Sequence, residues 1–153
     1  MEALAIVGLV GNIVQFIDFS GDVFSAMSKI HASDEGALAE NLDIEKTTSS
    51  LRRLTTRLQN TPLTGDTAVD SLSQACNDVG NELLEVLHRV KASGKRNRHQ
   101  SIWKAFLSVR RKGKIEGLER RLSRLREHLT LHIVVQLRLG LPLLRVMERG
   151  ILC

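Results

Sequence analysis

Val69, Leu72, Cys76, Val79, Leu83, Val86 and Val90 follow one another at alternating steps of three and four residues, with no proline between them. That spacing puts all of them on one side of an α-helix about six turns long, whereas a strand, with its period of two, would scatter them over both faces. A helix with such a stripe must bury it against other elements, so the rest of the chain decides the fold.

The same period recurs elsewhere. Residues 3–30 form a proline-free apolar stretch in which Gly8, Gly11, Gln15, Asp18 and Asp22 make a single small and polar stripe. Ser33, Asp34, Glu35 and Gly36 read as a break. A second helix is expected over 38–59, with Leu51, Leu54 and Leu58 on one face, ended by Pro62 and Gly65. Asp66 or Thr67 suits the N-cap of the third helix, the one that carries the opening pattern. A polar basic loop at 93–98 leads to a short amphipathic fourth helix over 102–109. The fifth, with Ile115, Leu118, Leu122, Leu125, Leu129 and Ile133 in step, reaches about residue 137, where Gly140 and Pro142 end or kink it.

Only two prolines and five aromatic residues (one Trp, four Phe, no Tyr) occur in 153 residues, so the core is aliphatic and its elements are long. The expected fold is all-α, an antiparallel bundle of four to five helices over 1–137, with an N-terminal helix at about 2–30 and a leucine-rich tail at 138–153. Leu72, Val79, Leu83, Leu118, Leu122 and Leu125 are expected in one core.

Cys76 and Cys153 are far apart and lack the close neighbours of a zinc or redox motif, which points to reduced thiols and a cytoplasmic setting. The apolar start is preceded by Glu2 and no basic residue, the wrong flank for a secretory signal. Charge is polarised along the chain. Residues 1–50 hold eight acids and two lysines, a balance of −6, while 89–126 hold fourteen basic residues and two acids, a balance of +12. The two ends can neutralise each other, or the basic one can face an anionic surface.

Catalytic chemistry has no support in these residues. The sequence contains no phosphate-binding loop, no dinucleotide fingerprint and no nucleophile elbow. His128 and His132 stand one turn apart, as metal ligands can, but no cysteine or carboxylate is placed to complete a tetrahedral site. Cys76 sits in an apolar stripe, as a buried structural thiol does. The chain is therefore read as non-enzymatic, with no catalytic residue, no metal and no cofactor.

Two segments carry more than packing. In the first helix, Ile6, Leu9, Val10, Ile13, Phe16 and Ile17 fall opposite the polar stripe, with Val7 and Val14 flanking it. This face suits a core, or it suits lipid if several copies associate and turn their small and acidic positions inward. A lone span is a poor account, since a bilayer needs roughly 20 apolar residues and Asp18 and Asp22 interrupt the run. The second segment contains Lys95, Arg96, Arg98, Lys104, Arg110, Arg111, Lys112 and Lys114, with Trp103 and Phe106 among them. Its readings are a solvated face that complements the acidic first third, or a site for anionic lipid headgroups. Nucleic-acid binding is disfavoured, because no helix-turn-helix or other nucleic-acid motif accompanies the charge.

Residues 1–19 (MEALAIVGLVGNIVQFIDF), 33–41 (SDEGALAEN), 102–109 (IWKAFLSV) and 118–133 (LERRLSRLREHLTLHI) together resemble the fungal N-terminal domain of STAND proteins, the NLR-like proteins with NACHT or NB-ARC domains. The resemblance spans most of 1–137. It implies a HeLo-like helical bundle ahead of a NACHT or NB-ARC oligomerisation domain, in cis or in trans. It further implies self-association, recruitment from the cytoplasm to the plasma membrane, and a part in regulated cell death or heterokaryon-incompatibility-type immunity. The other function open to such a bundle is that of an adaptor, which docks a partner helix without entering a membrane.

Overall fold

The computed structural model describes residues 2–32, 43–93 and 113–150, and these form four helices: α1 (Glu2–Ala32), α2 (Ile44–Asn60), α3 (Thr67–Ser93) and α4 (Lys114–Gly150). No strand occurs among the described residues, in keeping with the all-α bundle expected. The fourth helix expected over 102–109, the break at 33–36, the start at residue 38, and Cys153 lie outside the described residues.

Local chemistry sets the boundaries. Asp43 caps α2 by accepting a hydrogen bond from the Lys46 backbone N–H at 2.9 Å, with Glu45 in the first turn and Arg57 in the last. Thr61 is extended, as the residue before a proline must be, and α2 stops at Asn60. Gly65 takes a φ of +80° that side chains avoid. Asp66, not Thr67, then caps α3, accepting from the backbone N–H groups of Ala68 and Val69 at 3.0 and 3.3 Å. Asp70 closes the turn by accepting from the Thr64 N–H, the Thr64 hydroxyl and the Gly65 N–H. Gly113, at φ +65°, precedes α4.

The sequence placed the end of α4 near residue 137, but the helix runs on across Gly140 and Pro142 to Gly150. Pro142 forfeits one i→i−4 bond, and the good helix formers on both sides of it carry the helix through.

Cross-links fix the topology. Asn12 and Gln15 of α1 bond to Thr61 and Arg57 at the end of α2. Glu45 and Arg52 of α2 meet Lys91 and His88 of α3. Glu82 and Glu85 of α3 meet Arg121 and Lys114 of α4. Each pair runs in opposite senses along its two helices, so the bundle is up-down-up-down. Among the described residues α1 and α3 form its centre, each touching all the other helices, while α2 and α4 flank them without touching.

The core collects the expected stripes. Leu72, Val79, Leu83, Leu118, Leu122 and Leu125 are all buried in one cluster. Thr48 and Thr55 are buried on α2 because their hydroxyls donate to the Ile44 and Leu51 carbonyls, at 2.6 and 3.0 Å. Gly80 of α3 lies where α1 and α2 converge on it. The charge polarity seen in the sequence is partly neutralised internally, through Asp18–Arg126 at 3.6 Å and Glu45–Lys91 at 3.1 Å.

Candidate interaction surface

α1 is apolar over most of its circumference near its start, and the bundle chooses which side to bury. Leu9, Ile13, Phe16 and Ile17 are 0–2% exposed in the core, and Ile6 and Val10 pack half-buried against it. The face that helical spacing offered to lipid is therefore the core face in this fold. Gly8, Gly11, Gln15, Asp18 and Asp22 are exposed, so the small and polar stripe looks outward. Leu4 and Val7 stand beside it at 76% and 68% exposure, and Val14 at 37%.

These outward residues belong to a larger apolar region that the sequence reading missed. His132 lies 3.4 Å from Asp66, level with the start of α3, and α4 continues 18 residues beyond it, about 27 Å of helix. Leu131, Ile133, Val134, Val135, Leu137 and Leu139 are exposed along this part of α4, and Leu63 is exposed in the α2–α3 turn. With Leu4, Val7 and Val14, every large exposed apolar side chain among the described residues lies toward one end of the bundle, where α1 begins and α4 overhangs. Scattered exposed leucines are ordinary, whereas a cluster marks a binding surface. The signal in the sequence was the loss of the one-sided pattern after Leu129, where the helix becomes apolar all round.

A groove of about 680 Å³ runs between α3 and α4 toward the same end. Leu72, Ala75, Leu125, Leu131 and Val135 make its walls, and Arg121 and Arg124 stand on its rim. Arg121 is held by Glu82.

Of the basic surface candidates, Lys95, Arg96, Arg98, Lys104, Arg110, Arg111 and Lys112 lie outside the described residues. Lys114 lies at the end away from the apolar cluster, bonded to Glu85 at 2.8 Å. Lys114 first, and Arg89 with it, hold the Glu85 carboxyl below its ordinary value. His128 is exposed in the groove and His132 is turned to Asp66, and no group of three potential metal ligands occurs among the described residues. Burial pushes the Cys76 thiol up to about 12, which keeps it protonated and unreactive.

An up-down helical bundle with an apolar end and an apolar groove has the surfaces of an interaction module. The sequence model of SesA, an N-terminal domain on NACHT NTPase and P-loop NTPases, matches residues 10–129, and the chain belongs to that family. The resemblance to the N-terminal domain of STAND proteins is thereby borne out, and the family supports a place among the signalling or effector domains of NACHT-type proteins. No curated protein and no solved structure matches the chain.

Proposed function

We propose that this bundle is the executing module of an NLR-like pathway of the fungal, HeLo-like kind, which self-associates and then acts on a membrane through α1 in regulated cell death. The observation that carries the reading is the apolar end, because it joins exposed Leu4 and Val7 to Leu4–Lys29, a stretch whose most apolar window has a mean hydropathy of 1.6 and which is, by length and composition, long and apolar enough to cross a membrane. The length alone does not decide the matter, since a buried core helix has the same composition.

In the cytoplasmic resting fold, Leu9, Ile13, Phe16 and Ile17 are held by the bundle. A membrane contact at the apolar end removes Leu4, Val134, Leu137 and Leu139 from water, and release of α1 would then turn its core face to acyl chains. Oligomerisation of a NACHT domain, in cis or in trans, would supply the local concentration for this step. Arg138, exposed among the apolar residues of α4, places a cation where anionic headgroups would lie.

Dye-loaded vesicles of phosphatidylcholine, with and without phosphatidylserine, test the reading. Leakage that grows more than linearly with protein concentration is expected, and it is expected to be stronger with the anionic lipid. Intact vesicles at every concentration would leave the adaptor reading, which the burial of the α1 core face favours and in which the α3–α4 groove takes a partner helix.

A further inference from the structure

The outward stripe of α1 and the groove-side stripe of α4 match each other residue for residue when read in opposite directions. On α1, Val7, Gly11, Val14, Asp18 and Asp22 follow at steps of four, three, four and four. On α4, Val135, Leu131, His128, Arg124 and Arg120 descend by the same steps. All ten are exposed, and the α4 residues from Arg124 to Val135 line the groove. Two antiparallel helices with Val7 set against Val135 therefore bring Gly11 to Leu131, Asp18 to Arg124 and Asp22 to Arg120.

The two glycines supply a second, independent observation. Among the described residues a Cβ added at Gly8 or at Gly11 would meet nothing within 4 Å, so none of them calls for glycine at either place. Glycine in a helix interior costs stability, and close approach of another backbone is a reason to keep it. Gly11 would give Leu131 a hole to enter.

We infer that α1 of one copy docks in the α3–α4 groove of a second copy, with the acids of α1 against the arginines of α4. One copy cannot satisfy both surfaces itself, because the apolar face of α1 already packs on its own α3 and α4, and the exposed contact of Asp18 with Arg126 of the same copy, at 3.6 Å, is the one that docking exchanges for a neighbour's Arg124. The interface is heterologous, so each added copy presents a fresh groove and a fresh α1, and the assembly grows as a ring or a filament. Within a copy α1 and α4 are antiparallel, so docking α1 antiparallel to a neighbour's α4 sets all copies pointing the same way. The apolar ends then gather on one side of the assembly. This inference specifies the self-association in the proposed function, and it stands or falls in solution, without lipid.

The test uses two variants of the full chain, each with one surface blocked. Val7→Lys spoils α1 and leaves the groove, while Val135→Lys spoils the groove and leaves α1. Both sites are solvent-exposed, so both proteins fold, as circular dichroism checks. By analytical ultracentrifugation the unmodified chain associates with rising concentration, and each variant alone stays monomeric. Their equimolar mixture forms a species of two copies and stops there. Asp18→Arg with Asp22→Arg weakens association by about tenfold or more, and Arg120→Asp with Arg124→Asp in the partner restores it. A mixture that stays monomeric, or an unmodified chain that never associates, overturns the interface. Loss of vesicle leakage with association intact would sink only the membrane step, and leakage without association would sink only this interface.

Discussion

Gly80 on α3 faces Thr55 on α2 so closely that a Cβ placed on it would sit 2.6 Å from the Thr55 hydroxyl oxygen and 3.0 Å from the Phe16 ring of α1. Three helices meet there, and the absence of a side chain sets how near they come.

Gly80→Ala is thus expected to destabilise the bundle although alanine is the better helix former. Thr55 is stiff at χ1 and its hydroxyl is committed to the Leu51 carbonyl, so it cannot swing aside cheaply. Overpacking of about 1–3 kcal/mol outweighs a propensity gain of about 1 kcal/mol. Gly11→Ala, which meets nothing among the described residues, should instead raise the stability of the monomer. Urea unfolding of the two variants checks the contrast, and a more stable Gly80→Ala protein would refute the close approach.

This contact is the kind of detail that the sequence does not display. The stripe from Val69 to Val90 was legible because one side of that helix is apolar and the other is not. Its start at Asp66 or Thr67 and the stop of α2 at Pro62 were legible because capping and the restraint of a proline ring are local chemistry. The apolar face of α1 was legible too, opposite the small and polar stripe, but its destination was not, since a core and a bilayer ask for the same side chains. Only packing against α3 and α4 separates them. The apolar end was missed for a different reason: it depends on how far α4 outruns α3, which no single helix records.

The Asp70 carboxylate gives the fold an acid-sensitive clasp. The Thr64 backbone N–H is the main cause of its lowered pKa, with the Thr64 hydroxyl and the Gly65 N–H adding to it. The folded value lies below the ordinary 3.8, so the ionised form favours folding. That contribution is complete above pH 3.8 and disappears as pH falls through the lower folded value. Asp70→Asn should therefore melt below the unmodified chain at neutral pH, and the gap should narrow below about pH 4. A gap independent of pH would mean that shape, not charge, holds the turn.

Cys76 should resist modification for as long as the fold lasts. With the thiol pushed up to about 12, on the order of one molecule in ten thousand carries a thiolate there at pH 8, and the side chain is fully buried. Peptide mass spectrometry after alkylation should find Cys76 unlabelled in native protein and labelled in denaturant. Rapid labelling in native protein would show that α3 opens locally far more often than its packing implies.

The faces of α1 can be separated by lysine substitutions, now that the structure says which positions are free. Removing residues 1–19 is unsuitable, because it deletes Leu9, Ile13, Phe16 and Ile17 from the core. Leu4→Lys instead changes a side chain that is 76% exposed, and it should alter stability by no more than about 0.5 kcal/mol. Ile13→Lys buries an unpaired charge at a position that is 0% exposed, and the loss should be about 3–5 kcal/mol, enough to unfold a domain of ordinary stability. Only Leu4→Lys is therefore informative about membranes. If the apolar end carries α1 into lipid, a lysine there costs about 2.5–3.5 kcal/mol near the bilayer centre and less toward the interface, so leakage should fall by about one to two orders of magnitude in a protein that melts normally. Thermal melting and vesicle leakage on the same preparations check both halves. Undiminished leakage from folded Leu4→Lys would show that the start of α1 does not enter the bilayer.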